Sequence, residues 1–406
     1  MPSSDTVEAL SLPPTASNGS TRQILGFVYF TFIVYLSIGL PLAVLPPYVH
    51  LRMGYSATLA GLVISIQYIA TLASRPWAGR ISDRAGAKVS VLWGMAACSL
   101  SGVVLIAAAA LYTIPWLSLT VLMLSRLMLG IGESLGSTGS TLWGITTAGP
   151  EHTAKVISYN GISTFGAMAL GAPLGVALET ICGKPRLGLA AIGLLTMLIG
   201  AFSLALASRK GAVPVTHGEH MPFRDVIFRV APHGFGLALG GVGFSVLATF
   251  ITLFYASRNW TGAALCLTAF GVAFIVARLL FIQTINRFGG YPVAIVCLSV
   301  ESLGMLVLWL ASSPWMALSA AALAGFGFSL VFPAIGVEAV KRVPEHNRGT
   351  ALGVYTAFSD VSFFLTGPVA GAVIGGYGYS SVFFFGLVCV LTALGIVIVL
   401  RRLQTV

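Results

Sequence analysis

Residues 56–112 read SATLAGLVISIQYIATLASRPWAGRISDRAGAKVSVLWGMAACSLSGVVLIAAAALY. Two apolar runs, 56–78 and 89–112, flank a polar and glycine-containing connection, Gly79–Lys88. Each run has about the 20 residues that carry a helix across the hydrocarbon core of a bilayer. Barrel strands would need short segments with alternating polar positions, and these runs are too long and too continuous for that. The segment therefore predicts two membrane-crossing helices joined by a tight turn.

The same pattern extends over the chain. Apolar runs fall near 24–48, 56–78, 89–112, 116–143, 156–179 and 187–208, and again near 227–255, 261–285, 293–311, 314–338, 350–375 and 380–400. A polar stretch with Pro214, His217, His220 and Pro222 separates the two sets of six. The composition agrees: 57% of residues are hydrophobic and 8% charged, whereas a soluble domain carries roughly 25% charged residues. The expected fold is an all-α membrane protein of twelve transmembrane helices in two six-helix bundles. Its expected divisions are a disordered tail at 1–21, a first bundle at 22–208, a linker at 209–226, a second bundle at 227–400 and a short tail at 401–406. Residues 1–21 lack the basic-then-apolar order of an export signal, so the first helix is expected to act as its own insertion signal.

The formal charge is +10, a balance that in a soluble protein would suggest nucleic-acid binding. Its distribution gives another reading. With the amino terminus inside, the cytoplasmic loops hold Arg22, Arg80, Arg84, Lys88, Lys155, Arg209, Lys210, Arg224, Arg229, Arg287, Lys341, Arg342, Arg348, Arg401 and Arg402. The opposite loops hold only Arg52, Lys184, Arg186 and Arg258. This positive-inside bias places both termini in the cytoplasm and excludes a nucleic-acid partner. The five cysteines are scattered, with no CxxC pair or Cys/His cluster, so no metal site, disulfide framework or cofactor is expected. No phosphate-binding loop, nucleophile elbow or dinucleotide fingerprint occurs.

The halves also repeat in sequence. At an offset of 203, Arg75, Asp83, Arg84 and Gly86 align with Arg278, Asn286, Arg287 and Gly289. At an offset of 195, Gly130, Gly132, Ser134 and Leu135 align with Gly325, Gly327, Ser329 and Leu330, and at an offset of 194 Pro150-Glu151-His152 recurs as Pro344-Glu345-His346. Three matches in order, each after the corresponding helix, indicate a duplicated bundle.

The loop Gly79-Arg80-Ile81-Ser82-Asp83-Arg84-Ala85-Gly86-Ala87-Lys88 resembles the G-x-x-x-D-[R/K]-x-G-x-[R/K] signature of the major facilitator superfamily, and it lies between the second and third helices as in that family. Gly79 and Gly86 suit a tight turn. Asp83 can face the positive end of a neighbouring helix, and Arg84 and Lys88 can bridge acidic groups, as in a gate latch. The second-half counterpart keeps Arg287 but has Asn286 for the carboxylate, which implies a weaker latch. In the fourth helix, Arg126, Gly130 and Gly132 resemble the R-x-x-x-G-x-G motif of the same family. Helical spacing puts Arg126, Gly130, Glu133 and Ser137 on one face.

Charges at membrane depth are costly unless paired or facing water, so they are functional candidates. A carboxylate poised between burial and a cation can exchange a proton, which makes Glu133 and Arg126 candidates for proton coupling. A fixed structural pair is the alternative. Asp360, about ten residues into the eleventh helix, is a second candidate carboxylate. Glu301 is expected to be structural, pairing with another helix with Arg278 as the candidate partner, and Glu338 to reach water at a helix end. Tyr35, Gln67, Asn160, Phe328, Phe332 and Tyr355, together with Tyr68, are candidates for the wall of a central cavity. The helix-5 G-P-x-x-G signature of the family's exporters is degraded here to Ala172-Pro173, while a clean copy, Gly367-Pro368-Val-Ala-Gly371, sits in the eleventh helix.

The resemblance implies paired six-helix bundles with alternating access to a midplane site. The protein is expected to be a monomeric, multi-pass transporter of a bacterial inner membrane. Its partners are then a small-molecule substrate, protons and the lipid bilayer. Proton-coupled efflux is the leading expectation. Proton symport or facilitated uptake, and a non-transporting receptor or scaffold, are the alternatives.

Overall fold

The computed structural model describes residues 21–149, 153–213, 223–343 and 348–404. Among them every regular element is helical. In order, the helices are α1 (Thr21–Leu42), α2 (Leu45–Pro47), α3 (Ala57–Arg84), α4 (Ala87–Ala110), α5 (Pro115–Ala148), α6 (Thr153–Cys182) and α7 (Pro185–Arg209) in the first half. The second half contains α8 (Phe223–Ser257), α9 (Ala264–Phe281), α10 (Thr284–Phe288), α11 (Gly290–Trp309), α12 (Pro314–Phe328), α13 (Val331–Val340), α14 (Arg348–Tyr377) and α15 (Ser381–Gln404). Together they make twelve stretches long and apolar enough to cross a membrane, the number read from the sequence. The expected amino-terminal tail, most of the inter-bundle connection and the repeated Pro-Glu-His tripeptides lie outside the described residues.

Three crossings expected to be continuous are broken, the eighth near its end between α9 and α10. At the end of the first, Pro46 and Pro47 lack the N–H groups that would continue the hydrogen-bond ladder, and the chain passes through α2 into a π-helical turn, Tyr48–Arg52. The tenth divides at Ser329 and Leu330 into α12 and α13.

The helices are apolar on all sides, as a bilayer solvent requires. Trp77, Trp93, Phe202, Leu280 and Leu403 are exposed on the outer surface. Lipid is as apolar as a leucine core, so burial of apolar area cannot select the inner faces; close packing of small residues does that instead. Within the first half α1 packs on α5 and α6, α3 on α5, and α4 between α5 and α7. Within the second, α8 packs on α14 and α15, α9 on α12, and α11 between α12 and α15. The halves meet through α3 with α14, α6 with α9, and α2 with α8.

Twelve crossings place both chain ends at one end of the bundle, here the terminal end; the other is the distal end. Gly86 (φ +96°) and Gly289 (φ +85°) occupy matching places before α4 and α11. A side chain is strained at such φ, which explains why glycine recurs in both halves. Gly79, expected in the same turn, is instead inside α3 with open space around it.

Candidate functional site

Glu133 projects from α5 into the first half and is 2% exposed. Its Oε1 accepts from the Tyr35 hydroxyl of α1 at 3.1 Å. Its Oε2 accepts from Gln67 Nε2 at 3.3 Å and from the Thr71 hydroxyl at 3.1 Å, both on α3. The approach of α5 to α3 that allows these bonds occurs at Gly130, which rests against the Gln67 backbone. Glu133 is therefore held by three neutral donors and by no cation.

One turn further along α3, Arg75 crosses to the other half. Its Nη2 donates to Asp360 Oδ1 at 2.9 Å, and its Nε bonds Oδ2. This two-pronged pair joins α3 to α14; the Asp360 side chain is 4% exposed and that of Arg75 20%. Tyr35 lies within electrostatic reach of Glu133, Arg75 and Asp360. Two polar clusters, one around Glu133 and one between Arg75 and Asp360, are thus carried a turn apart on α3.

This differs from the pairing expected from helical spacing. Arg126 and Glu133 share a face of α5, but they do not bond. Arg126 is 1% exposed, and none of Nε, Nη1 and Nη2 has a hydrogen-bond partner. Gln67 and Thr71 of α3 take the Glu133 carboxylate instead. Arg278 does not pair with Glu301: its Nη2 donates to the Ser329 carbonyl at 2.6 Å, and its guanidinium sits 4.9 Å from the Phe274 ring centre. That carbonyl lies at the break between α12 and α13, so the interruption supplies the acceptor. Glu301 is fully buried in the second half and both its oxygens lack partners. Glu338, expected to reach water, is buried. It accepts from the first backbone N–H of α11, Gly290, at 3.0 Å and from Lys341 Nζ at 2.9 Å, satisfying a helix start that would otherwise carry an orphan donor.

Between the halves lies a small cavity lined by Leu42, Ile64, Tyr68, Met168, Phe244, Ser245, Ala248, Thr249 and Phe363. Its volume, about 10 Å³, is roughly that of one water. Phe165, Phe244, Phe270, Phe274 and Phe328 form an aromatic cluster beside it, with Phe165 and Phe274 centred 3.9 Å apart. Of the expected cavity residues, only Tyr68 lines this space. Tyr35 and Gln67 serve Glu133, and Phe328 belongs to the aromatic cluster. Asn160 Nδ2 donates to Thr141 at 3.0 Å. Tyr355 is fully buried against Gly336 and donates to the Phe332 carbonyl at 3.0 Å, so it and Phe332 are packing residues in this state. The α8 residues of the wall were not singled out from the sequence, because their side chains are ordinary for an apolar helix. Arg75 did carry a signal, a charge within an apolar run aligned with Arg278.

Of the expected gating residues, the Asp83 side chain lies outside the described residues. Lys88 turns to backbone rather than to an acid: its Nζ donates to the Ser208 carbonyl at 2.8 Å and the Lys210 carbonyl at 2.6 Å, covering the end of α7. Arg84 is exposed, and Arg287 lies over the ring of its neighbour Phe288. At the distal end the halves are in direct contact. Gly61 of α3 meets the Gly367 backbone of α14, and Gly371 meets Thr58. His50 Nδ1 donates to the Tyr55 carbonyl at 2.6 Å, and its Nε2 accepts from the Tyr379 hydroxyl of the other half at 2.9 Å. Toward the terminal end, Gly79 of α3 and Gly353 of α14 have no neighbour within 4 Å of an added Cβ.

Comparison with known proteins agrees with this architecture. The sequence matches the Major Facilitator Superfamily over residues 27–281 and 234–405. It is 53% identical over 399 residues to an uncharacterized MFS-type transporter of Pseudomonas aeruginosa, covering 98% of each chain. It is 51% identical over 402 residues to another of Burkholderia pseudomallei, covering 99% of this chain and 97% of the relative. Among solved structures, a D-xylose-proton symporter superposes with a TM-score of 0.74 at 17% identity, covering 92% of this chain and 97% of the other. A mutant of the nucleoside transporter NupG does so with 0.73 at 14% identity, covering 93% and 99%. At such identities the structural likeness speaks to the fold alone. The full-length relatives and the family match carry the assignment further: this multi-pass membrane protein belongs to the Major Facilitator Superfamily of transporters.

Proposed function

We propose that the protein is a proton-coupled secondary transporter, acting as a monomer, that exports a small organic solute by alternating access. The observation that carries the proposal is that α3 holds both the buried Glu133 carboxylate, through Gln67 and Thr71, and the Arg75–Asp360 pair that joins the halves. A buried carboxylate held only by neutral donors can accept a proton without stranding a cation. Protonation turns one Glu133 oxygen from acceptor into donor, which displaces either the Tyr35 bond or those from α3. Because α3 also carries Arg75, that change is transmitted to Asp360 in the other half. One proton moving through 100 mV supplies about 2.3 kcal/mol, enough for roughly a fifty-fold solute gradient.

The positive-inside bias supports a cytoplasmic terminal end in a bacterial inner membrane. On that orientation the distal closure is periplasmic, the side that an exporter keeps shut while it takes up solute from the cytoplasm. The test begins with a thermal-shift screen of metabolites and antibiotics on the purified protein at two pH values. Solutes that bind are then added to everted vesicles holding an acidic interior. Export predicts collapse of the proton gradient as solute enters, and loss of this response in Glu133→Gln. Persistent coupling in that variant would remove Glu133 from the mechanism. A solute that moves without protons, or with them in the same direction, would replace efflux by facilitated uptake or symport.

A further inference from the structure

The charges within the membrane do not balance locally: among the described residues Arg126 in the first half and Glu301 in the second are each left without a partner, and only Arg126 lies level with the cavity between the halves. Asp360 is occupied by Arg75, Glu133 by Tyr35, Gln67 and Thr71, and Arg278 by the Ser329 carbonyl and the Phe274 ring. Arg126 is left with three buried nitrogens and no acceptor. A guanidinium withdrawn from water without a partner is among the most costly groups a membrane protein can hold. A ligand that supplied the acceptor would offset that cost.

The location of Arg126 fits such a ligand. It precedes Gly130 by one turn of α5, and Gly130 rests on the Gln67 carbonyl, so Arg126 is level with the Ile64–Gln67 turn of α3. Ile64 and Tyr68 from that stretch line the cavity between the halves. Tyr68 and Glu133 are the titratable groups within electrostatic reach of Arg126. Across the cavity stand Phe244 and Phe363, whose ring centres are 6.0 Å apart. Arg126 does not itself line the cavity; Tyr68, which does, stands between the unsatisfied guanidinium and the aromatic wall, its ring centre 5.2 Å from that of Phe363.

Resting on the transport reading above, we infer that the solute is an amphipathic organic anion, its carboxylate or phosphonate accepting two bonds from Arg126 and its apolar body lying against Tyr68, Phe244 and Phe363. A guanidinium matches such planar oxyanions with two parallel bonds, which an ammonium cannot reproduce. The cavity in this state has room for about one water, so the solute binds as the halves separate. Arg126 is then a binding residue, and the proton steps belong to Glu133 and the inter-half pair.

The test uses full-length protein in lipid nanodiscs and four probes of similar size: benzoate, phenylphosphonate, benzyl alcohol and benzylamine. Benzoate and phenylphosphonate are expected to raise the melting temperature and to bind in equilibrium dialysis, while the alcohol and the amine do neither. Arg126→Gln should weaken benzoate binding about tenfold or more, as expected for loss of charge-assisted bonds, and Arg126→Lys should retain part of it. If Arg126→Gln does not fold, the ranking of probes on the unaltered protein decides by itself. The inference is overturned if the amine or alcohol binds as well as benzoate, if neither anion binds at millimolar concentration, or if folded Arg126→Gln binds benzoate unchanged. Failure of the transport reading looks different: anions would bind through Arg126 but would not cross proteoliposome membranes.

Discussion

The distal closure depends on a contact with no side chain between the helices, and Gly61→Ala should open it. A Cβ on Gly61 would lie 2.8 Å from the Gly367 carbonyl carbon and 2.9 Å from the Phe250 ring. One of these obstacles is backbone of the opposite half, so it cannot rotate aside. Overpacking of this kind costs typically 1–3 kcal/mol, and that cost falls on the closed state alone. The closed-to-open ratio at the distal end should then fall by about 5- to 150-fold, and further with Gly61→Val. The assay is electron–electron distance measurement between spin labels at Thr113 and Ser312, which are exposed in distal loops of opposite halves. It requires replacement of the five native cysteines, Cys98, Cys182, Cys266, Cys297 and Cys389, all of them free. The unaltered protein should give a short distance and Gly61→Ala a longer second population. Gly79→Val is the control on the same helix, because an added Cβ there meets nothing within 4 Å. An unchanged distance in Gly61→Val, or an equal shift in Gly79→Val, would refute the glycine contact as the determinant of closure.

Three further outcomes follow from the geometry. Asp360→Asn leaves Arg75 buried without its counter-ion and should destabilise the protein by about 3 kcal/mol, the low end for a broken buried pair because Arg75 is partly exposed. In thermal denaturation the double variant Arg75→Gln/Asp360→Asn should be more stable than Asp360→Asn alone. Tyr379→Phe removes the bond to His50 across the halves and should cost roughly 1 kcal/mol, seen as a smaller distal opening in the same distance assay. Gly86→Ala forces a side chain into φ +96° at about 1–3 kcal/mol, so its melting temperature should drop while that of Gly79→Ala does not.

The number of helices and the two-fold repeat were legible in the sequence because bilayer thickness fixes the length of an apolar run, whatever packs beside it. The glycines at 86 and 289 were legible for a similar reason: a sharp reversal between two crossings leaves little choice of residue. The breaks near the ends of the first and eighth crossings and inside the tenth were not read, although Pro46-Pro47 carried a local signal. No comparable signal marked Ser329 and Leu330.

For the site, the sequence named the charged residues and the face of the helix on which each lies. Spacing along α5 suggested a bond between Arg126 and Glu133, since residues on one face are neighbours in an isolated helix. Which partner each charge takes is decided between helices. Gly130 brings α3 close enough for Gln67 and Thr71 to occupy Glu133, while α3 and α14 approach closely enough for Arg75 to reach Asp360. Periodicity fixes the direction in which a side chain leaves its own helix. The acceptor it meets depends on the separation and register of another helix, and those are set only when the two halves pack.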